Sequence, residues 1–90
     1  DPETAAAVSF ERNVVASLGA DCQSPLGCLA FKKDGIWQLS LKIMDYEGHS
    51  FMVEKTSEKL DLKAKKLLLS ELKNSSAQQI LDNLGLTLHN

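Results

Sequence analysis

The nine residues Ile36 to Met44, "IWQLSLKIM", alternate without a break. Trp37, Leu39, Leu41 and Ile43 fall on one side, and Gln38, Ser40 and Lys42 on the other. A period of two is the geometry of a strand, so the segment demands a sheet with one apolar face. A strand cannot bury that face by itself; another layer of the chain must cover it. Upstream, "LGCLAFKK" runs into Asp34-Gly35, a dipeptide suited to a two-residue hairpin turn because both positions tolerate positive φ. Downstream, the polar break "DYEGH" leads to "SFMVEK", with Phe51 and Val53 facing one way. Together these segments predict a three-stranded antiparallel meander.

The covering layer comes from both ends of the chain. Asp1-Pro2-Glu3 has the chemistry of a helix start: a capping carboxylate, proline at the first helical position and an acid in the first turn. Ala7, Phe10, Val14 and Leu18 follow at helical spacing until Gly19, predicting a helix over residues 2 to 18. A loop of about six residues, ending at Pro25, separates it from the strands. From Ser57 the helical period returns, with Leu60, Ala64, Leu67, Leu68 and Leu72 on the apolar stripe and Lys63, Lys66 and Lys73 off it. "NSSA" interrupts it, and Ser75 or Ser76 can cap a last short helix ending at Gly85. The expected fold is α+β, in the order α-β-β-β-α-α, with the helices packed on one face of the sheet.

Ninety residues make one domain, 1–90, in which only about two-thirds of the unfolded surface is buried. The net charge of -2 offers no general attraction to nucleic acid or to an anionic membrane. No apolar run approaches the roughly 18 residues of a membrane-spanning helix. "DPETAAAV" lacks the basic start and apolar stretch of a signal peptide, so a cytoplasmic, monomeric protein is the expectation. In that compartment Cys22 and Cys28 should be free thiols rather than a disulfide.

Candidate chemistry is sparse. Lysines cluster at Lys63, Lys65 and Lys66 on the long helix, and the element order is also that of double-stranded-RNA-binding domains. The acidic balance, and a first strand loop without the Gly-Pro-x-His character of those domains, favour a solvated helix face instead. Cys22, Cys28, His49 and His89 do not have the tight pairing of a structural zinc site, so no metal is expected. No carboxylate pair, phosphate loop or triad spacing can be placed, and no catalytic residue is assigned. Cys28 lies within the first strand and reads as a small hydrophobe. Cys22 sits beyond a helix end in a polar loop, with no cation or helix N-terminus near it in sequence to acidify it. The residues alone leave it open between a reactive thiol and an incidental one.

The run "ERNVVASLGADCQSPLGCLA", Glu11 to Ala30, resembles the C-terminal domain of the porphobilinogen deaminase (hydroxymethylbilane synthase) family. There, a helix with Glu-Arg and apolar residues runs into Gly-Gly-Cys-Gln-x-Pro-Ile-Gly; here Glu11-Arg12, Gly19, Cys22-Gln23, Pro25 and Leu26-Gly27 match. The resemblance continues through Asp34-Gly35, the strands and "SELKNSSAQQILDNLG". Ala20-Asp21, Phe10 and Ser76 depart from it.

The resemblance implies that Cys22 carries a covalent dipyrromethane cofactor through a thioether, on which porphobilinogen units are polymerised to hydroxymethylbilane in tetrapyrrole biosynthesis. It also implies that the chain is the cofactor-carrying domain of a larger enzyme. Its partners would be two N-terminal domains that supply the catalytic aspartate and substrate-binding arginines. Alone it would be inactive and would lack the cofactor. Arg12, the single arginine, is expected to brace the Cys22 loop. A duplex-RNA-binding module and a plain interaction domain are the competing readings.

Overall fold

The computed structural model describes residues 1–19 and 26–86. Helix α1 spans Pro2–Ala16. Asp1 caps it as its chemistry predicts: one carboxylate oxygen accepts the Glu3 N–H at 3.0 Å and the other the Thr4 hydroxyl at 3.1 Å. The helix ends two residues before the predicted Leu18. After the Ser17 N–H bonds Asn13 O, the Leu18 and Gly19 N–H groups turn to Val15 O and Ala16 O, tightening the last turn. Gly19, at φ 70°, redirects the chain. Ala7, Phe10, Val14 and Leu18 are all buried.

Strands β1 (Leu26–Lys33), β2 (Ile36–Met44) and β3 (Ser50–Ser57) form an antiparallel sheet in the order β1-β2-β3. Asp34 at φ 53° and Gly35 at φ 81° form the two-residue turn, with the positive φ values a type I′ hairpin requires. Its register sets Lys33 opposite Ile36 and Leu26 opposite Ile43. Trp37, Leu39, Leu41 and Ile43 are buried, as their alternation demands.

Helix α2 spans Leu62–Ser70, not from Ser57 as the helical period implied. Ser57 still belongs to β3, paired with Trp37, and its hydroxyl then accepts the Lys59 N–H and donates to Lys59 O. Asp61 provides the cap, accepting the Ala64 N–H at 3.0 Å. The stripe shifts accordingly. Ala64, Leu68, Leu69 and Leu72 are buried, while Leu67 is 44% exposed. A 3-10 turn, Glu71–Lys73, precedes helix α3, Ser75–Leu84. Its cap is Asn74 rather than Ser75 or Ser76: Asn74 has the extended backbone a cap needs, and its Oδ1 accepts the Ala77 N–H at 2.8 Å. Gly85, at φ 70°, closes α3 with the paired bonds Gly85 N–H to Asp82 O and Leu86 N–H to Leu81 O. The helices cover the inner face of the sheet, and a single core joins Phe10, Leu18, Leu41, Leu68 and Leu81. The architecture is the α+β arrangement expected. No helix among the described residues is long and apolar enough to cross a membrane.

Candidate functional site

Cys22 lies outside the described residues, as does His89. The structure does define the frame between whose ends the Cys22 segment runs. On one side, Leu18 is fully buried and anchors the end of α1. On the other, Leu26 begins β1 opposite Ile43.

A carboxylate ties these two sides together. β1 is an edge strand, and in an antiparallel ladder every second N–H of an edge points away from the sheet. Ala30 N–H is one of these, and Glu11 Oε2 accepts it at 2.8 Å across 19 residues of sequence. Glu11 is half-buried, so the charge-assisted bond is partly shielded from water. Its sequence neighbour, Arg12, is the residue expected from the sequence to brace the loop. Arg12 is exposed, and among the described residues it has no hydrogen bond or ion pair. The described bracing contact belongs to Glu11. The signal for it is a carboxylate on the helix face toward an edge strand, which the pattern alone does not reveal.

Cys28 faces inward from β1, half-buried and packed against the core. Burial pushes its thiol up to about 12, and the negative Glu11 adds to the effect. A thiol so placed holds almost no thiolate near neutral pH and is a poor nucleophile. The packing reading of Cys28 stands.

The β2–β3 connection holds a cluster that the sequence did not single out. The Asp45 side chain is 1% exposed. Its Oδ1 accepts the N–H groups of Glu47 at 3.0 Å and His49 at 2.9 Å. Its Oδ2 accepts from Asn83 Nδ2 on α3 and lies 2.9 Å from His49 Nδ1, which donates in its Nδ1–H tautomer. Burial alone would raise the carboxyl's pKa, but the bonds from Asn83, the His49 backbone and ring, and the Glu47 backbone outweigh it. The result is a pKa lowered to about 2. Asp45, Glu47 and His49 could each offer one ligand atom to a cation within a 4.8 Å span. The Asp45 oxygens already have four donors, so the arrangement reads as a structural brace. Of Cys22, Cys28, His49 and His89, from which no metal site is expected, two lie outside the described residues, and His49 is engaged by Asp45.

The lysines of α2 and of the 3-10 turn after it behave as a solvated face. Lys63, Lys66 and Lys73 are exposed, and Lys65 Nζ donates to Asn13 Oδ1 at 2.7 Å, linking α2 to α1.

No family model matches the chain. Over 55 residues, 61% of the chain, it is 44% identical to the porphobilinogen deaminase of Thiobacillus denitrificans (strain ATCC 25259 / T1). The matched stretch spans 18% of that protein's length, so the likeness concerns one part of it.

Proposed function

We propose that this chain is the cofactor-carrying unit of a porphobilinogen deaminase, with Cys22 as the attachment point for a dipyrromethane. The observation that carries this reading is the 44% identity over 55 residues to a protein of that name. The burial of Cys28 supports it: that thiol is turned toward the core, and burial pushes its pKa up to about 12.

The chain's own residues fit a carrier role and not a complete active site. The Cys22 thiol would form a stable carbon–sulfur bond with a pyrrolic methylene carbon as that carbon's bond to its amino group breaks, the thiol proton leaving with the displaced ammonia. Cysteine is nucleophilic enough for this with only a few per cent thiolate near neutral pH. A thioether also resists hydrolysis, so the link would outlast release of the product. When bound, the dipyrromethane supplies the fixed end onto which porphobilinogen units are added. Its acetate and propionate groups require several cations, and in the run Glu11 to Ala30 around Cys22 the sequence has a single cationic residue, Arg12. The remaining cations and the acid–base groups would come from other domains of the enzyme, which is why the unit alone should be inactive.

Peptide mass mapping of the native-length polypeptide, purified from cells, tests the proposal. The peptide containing Cys22 should carry the dipyrromethane mass, and the Cys28 peptide should be unmodified. An unmodified Cys22 peptide would overturn the reading. The 90-residue chain alone should release no hydroxymethylbilane from porphobilinogen.

A further inference from the structure

The tip of the β1–β2 hairpin differs from every other aspartate and asparagine the structure describes. Asp34 is the one Asp or Asn of the sequence with glycine next to it. Among the described residues it is also the single non-glycine with positive φ, at 53°, a backbone that an L side chain adopts at a cost. Asp34 and Gly35 are both exposed, and a Cβ built on Gly35 would meet nothing within 4 Å. Neither the Asp34 carboxylate nor the Gly35 N–H has a hydrogen-bond partner among the described residues.

The other described candidates are restrained. Asp45 is buried under four donors, and the Asp61 carboxylate accepts the Ala64 N–H. Asp82 lies inside α3, where the next amide belongs to the helix ladder. Asp1 precedes a proline, which has no N–H. The side-chain amides of Asn13, Asn74 and Asn83 are each hydrogen-bonded. An unbonded carboxyl beside an unbonded, unhindered amide is what cyclisation onto the main chain needs, and the fold offers that pair at Asp34.

We propose that Asp34 is a site of isoaspartate formation, through a succinimide closed by Gly35, and that the fold directs the reaction there. The Gly35 nitrogen attacks Asp34 Cγ. A carbon–nitrogen bond forms, a carboxyl carbon–oxygen bond breaks, and the amide proton leaves with that oxygen as water. Water then adds at the main-chain carbonyl carbon of Asp34 and breaks its bond to nitrogen, leaving Gly35 joined through Cβ and Cγ. The net change is an isomerisation that needs no other reactant. Closure requires the tip to leave its turn geometry briefly, and the pair Lys33 and Ile36 beside it is the last of the ladder, where opening costs least. The product has one extra methylene in the main chain and a new α-carboxylate. A two-residue turn has no slack for the added atom, so this last pair should loosen first.

The test incubates the folded, native-length polypeptide at mildly acidic pH and maps isoaspartate by electron-transfer fragmentation of its peptides. Asp34 should hold more isoaspartate than Asp45, Asp61 and Asp82 together. Hydrogen exchange at the Ile36 N–H should quicken as that fraction grows. Asp34→Asn keeps the turn, since Asn-Gly suits the same hairpin, and at neutral pH it should react at least fivefold faster, with ammonia lost in place of water. Three results would each overturn the proposal: an Asp34 peptide that stays unmodified, more isoaspartate at Asp45, Asp61 or Asp82 than at Asp34, or isoaspartate at Asp34 only after urea unfolds the polypeptide. The last would show that the turn guards the site instead of exposing it.

Discussion

Asp45 and Glu11 both use a carboxylate to hold a connection, but they do so in opposite ways. Asp45 is almost wholly buried and receives four donors, three of them from its own loop, Glu47 and His49, and one from Asn83 on α3. Glu11 is half-buried and, among the described residues, receives one, from the strand beyond the connection. The β2–β3 loop is closed by a group inside it. The described brace of the α1–β1 connection lies in its flanking elements. A loop whose polar side chains already satisfy its own backbone has few left for a ligand. The proposal puts Cys22 in the second connection, whose own residues 20–25 lie outside the described ones.

The sharpest way to break this comparison is to remove Asp45. Asp45→Ala leaves two backbone N–H groups and the Asn83 amide without their acceptor, and should lower the melting temperature further than truncation of Glu11 or Lys55 does. Asp45→Asn should fall almost as far, because its amide has one acceptor oxygen and two donors facing a ring of donors. The acid limb should change with it. A carboxyl depressed from 3.8 to about 2 in the folded state stabilises the fold fully above about pH 4, and that contribution fades as pH drops toward 2. Melting curves across that window should steepen for the native protein relative to Asp45→Asn. Equal acid sensitivity would mean that Asp45 is not the brace described.

Glu11 should matter less to stability and more to the frame. Glu11→Ala removes one partly shielded charged hydrogen bond, with an expected cost of about 1–2 kcal/mol by chemical denaturation. Glu11→Gln keeps an acceptor oxygen and should recover much of that. Hydrogen exchange at Ala30 N–H should accelerate in the alanine variant, and no change there would remove the proposed link between helix and strand. Cys28 reports on the same region. In the folded protein at pH 8 it should resist alkylation, and it should remain resistant in Glu11→Gln because burial is the dominant cause of its raised pKa.

The smallest effect belongs to the surface. Lys55 Nζ lies 2.9 Å from Glu71 Oε1, with both side chains partly exposed. Lys55→Ala should cost at most about 0.5 kcal/mol and lose that difference in high salt. A larger, salt-independent loss would show that packing of the lysine stem, rather than the ion pair, secures β3 to the turn before α3.

Much of this fold is legible because its signals are local. The alternation of "IWQLSLKIM", the Asp34-Gly35 turn and the Asp1 cap each fix an element by short-range sterics or hydrogen bonding. The errors fall where neighbours are chemically equivalent. "NSS" offers three possible caps in succession, and the backbone at Asn74 decides among them. Leu67, Leu68 and Leu69 are adjacent, and only the direction of the sheet selects Leu69 over Leu67. Asp45 could have been noticed, since an aspartate opening a turn often accepts the N–H two residues on. Its bond to Asn83, 38 residues away, could not. The candidate site is less legible still. Cys22 stands out only through the resemblance of the residues around it, because a reactive thiol in a polar loop has no periodicity.

The two-residue turn at Asp34-Gly35 has a consequence for how the length of such a chain can vary. With the side-chain period fixed at two, one residue added there and drawn into the ladder, rather than absorbed by a bulge or a longer turn, would turn β1 over while β2 stays anchored beneath the helices. Leu29 and Phe31 would then point inward, and Cys28 and Ala30 outward. Ala30 N–H would no longer meet Glu11, so a change at one end of the hairpin would dismantle the frame at the other. Two added residues would preserve every face. Insertions that enter the ladder at this hairpin should therefore be tolerated by parity rather than by size.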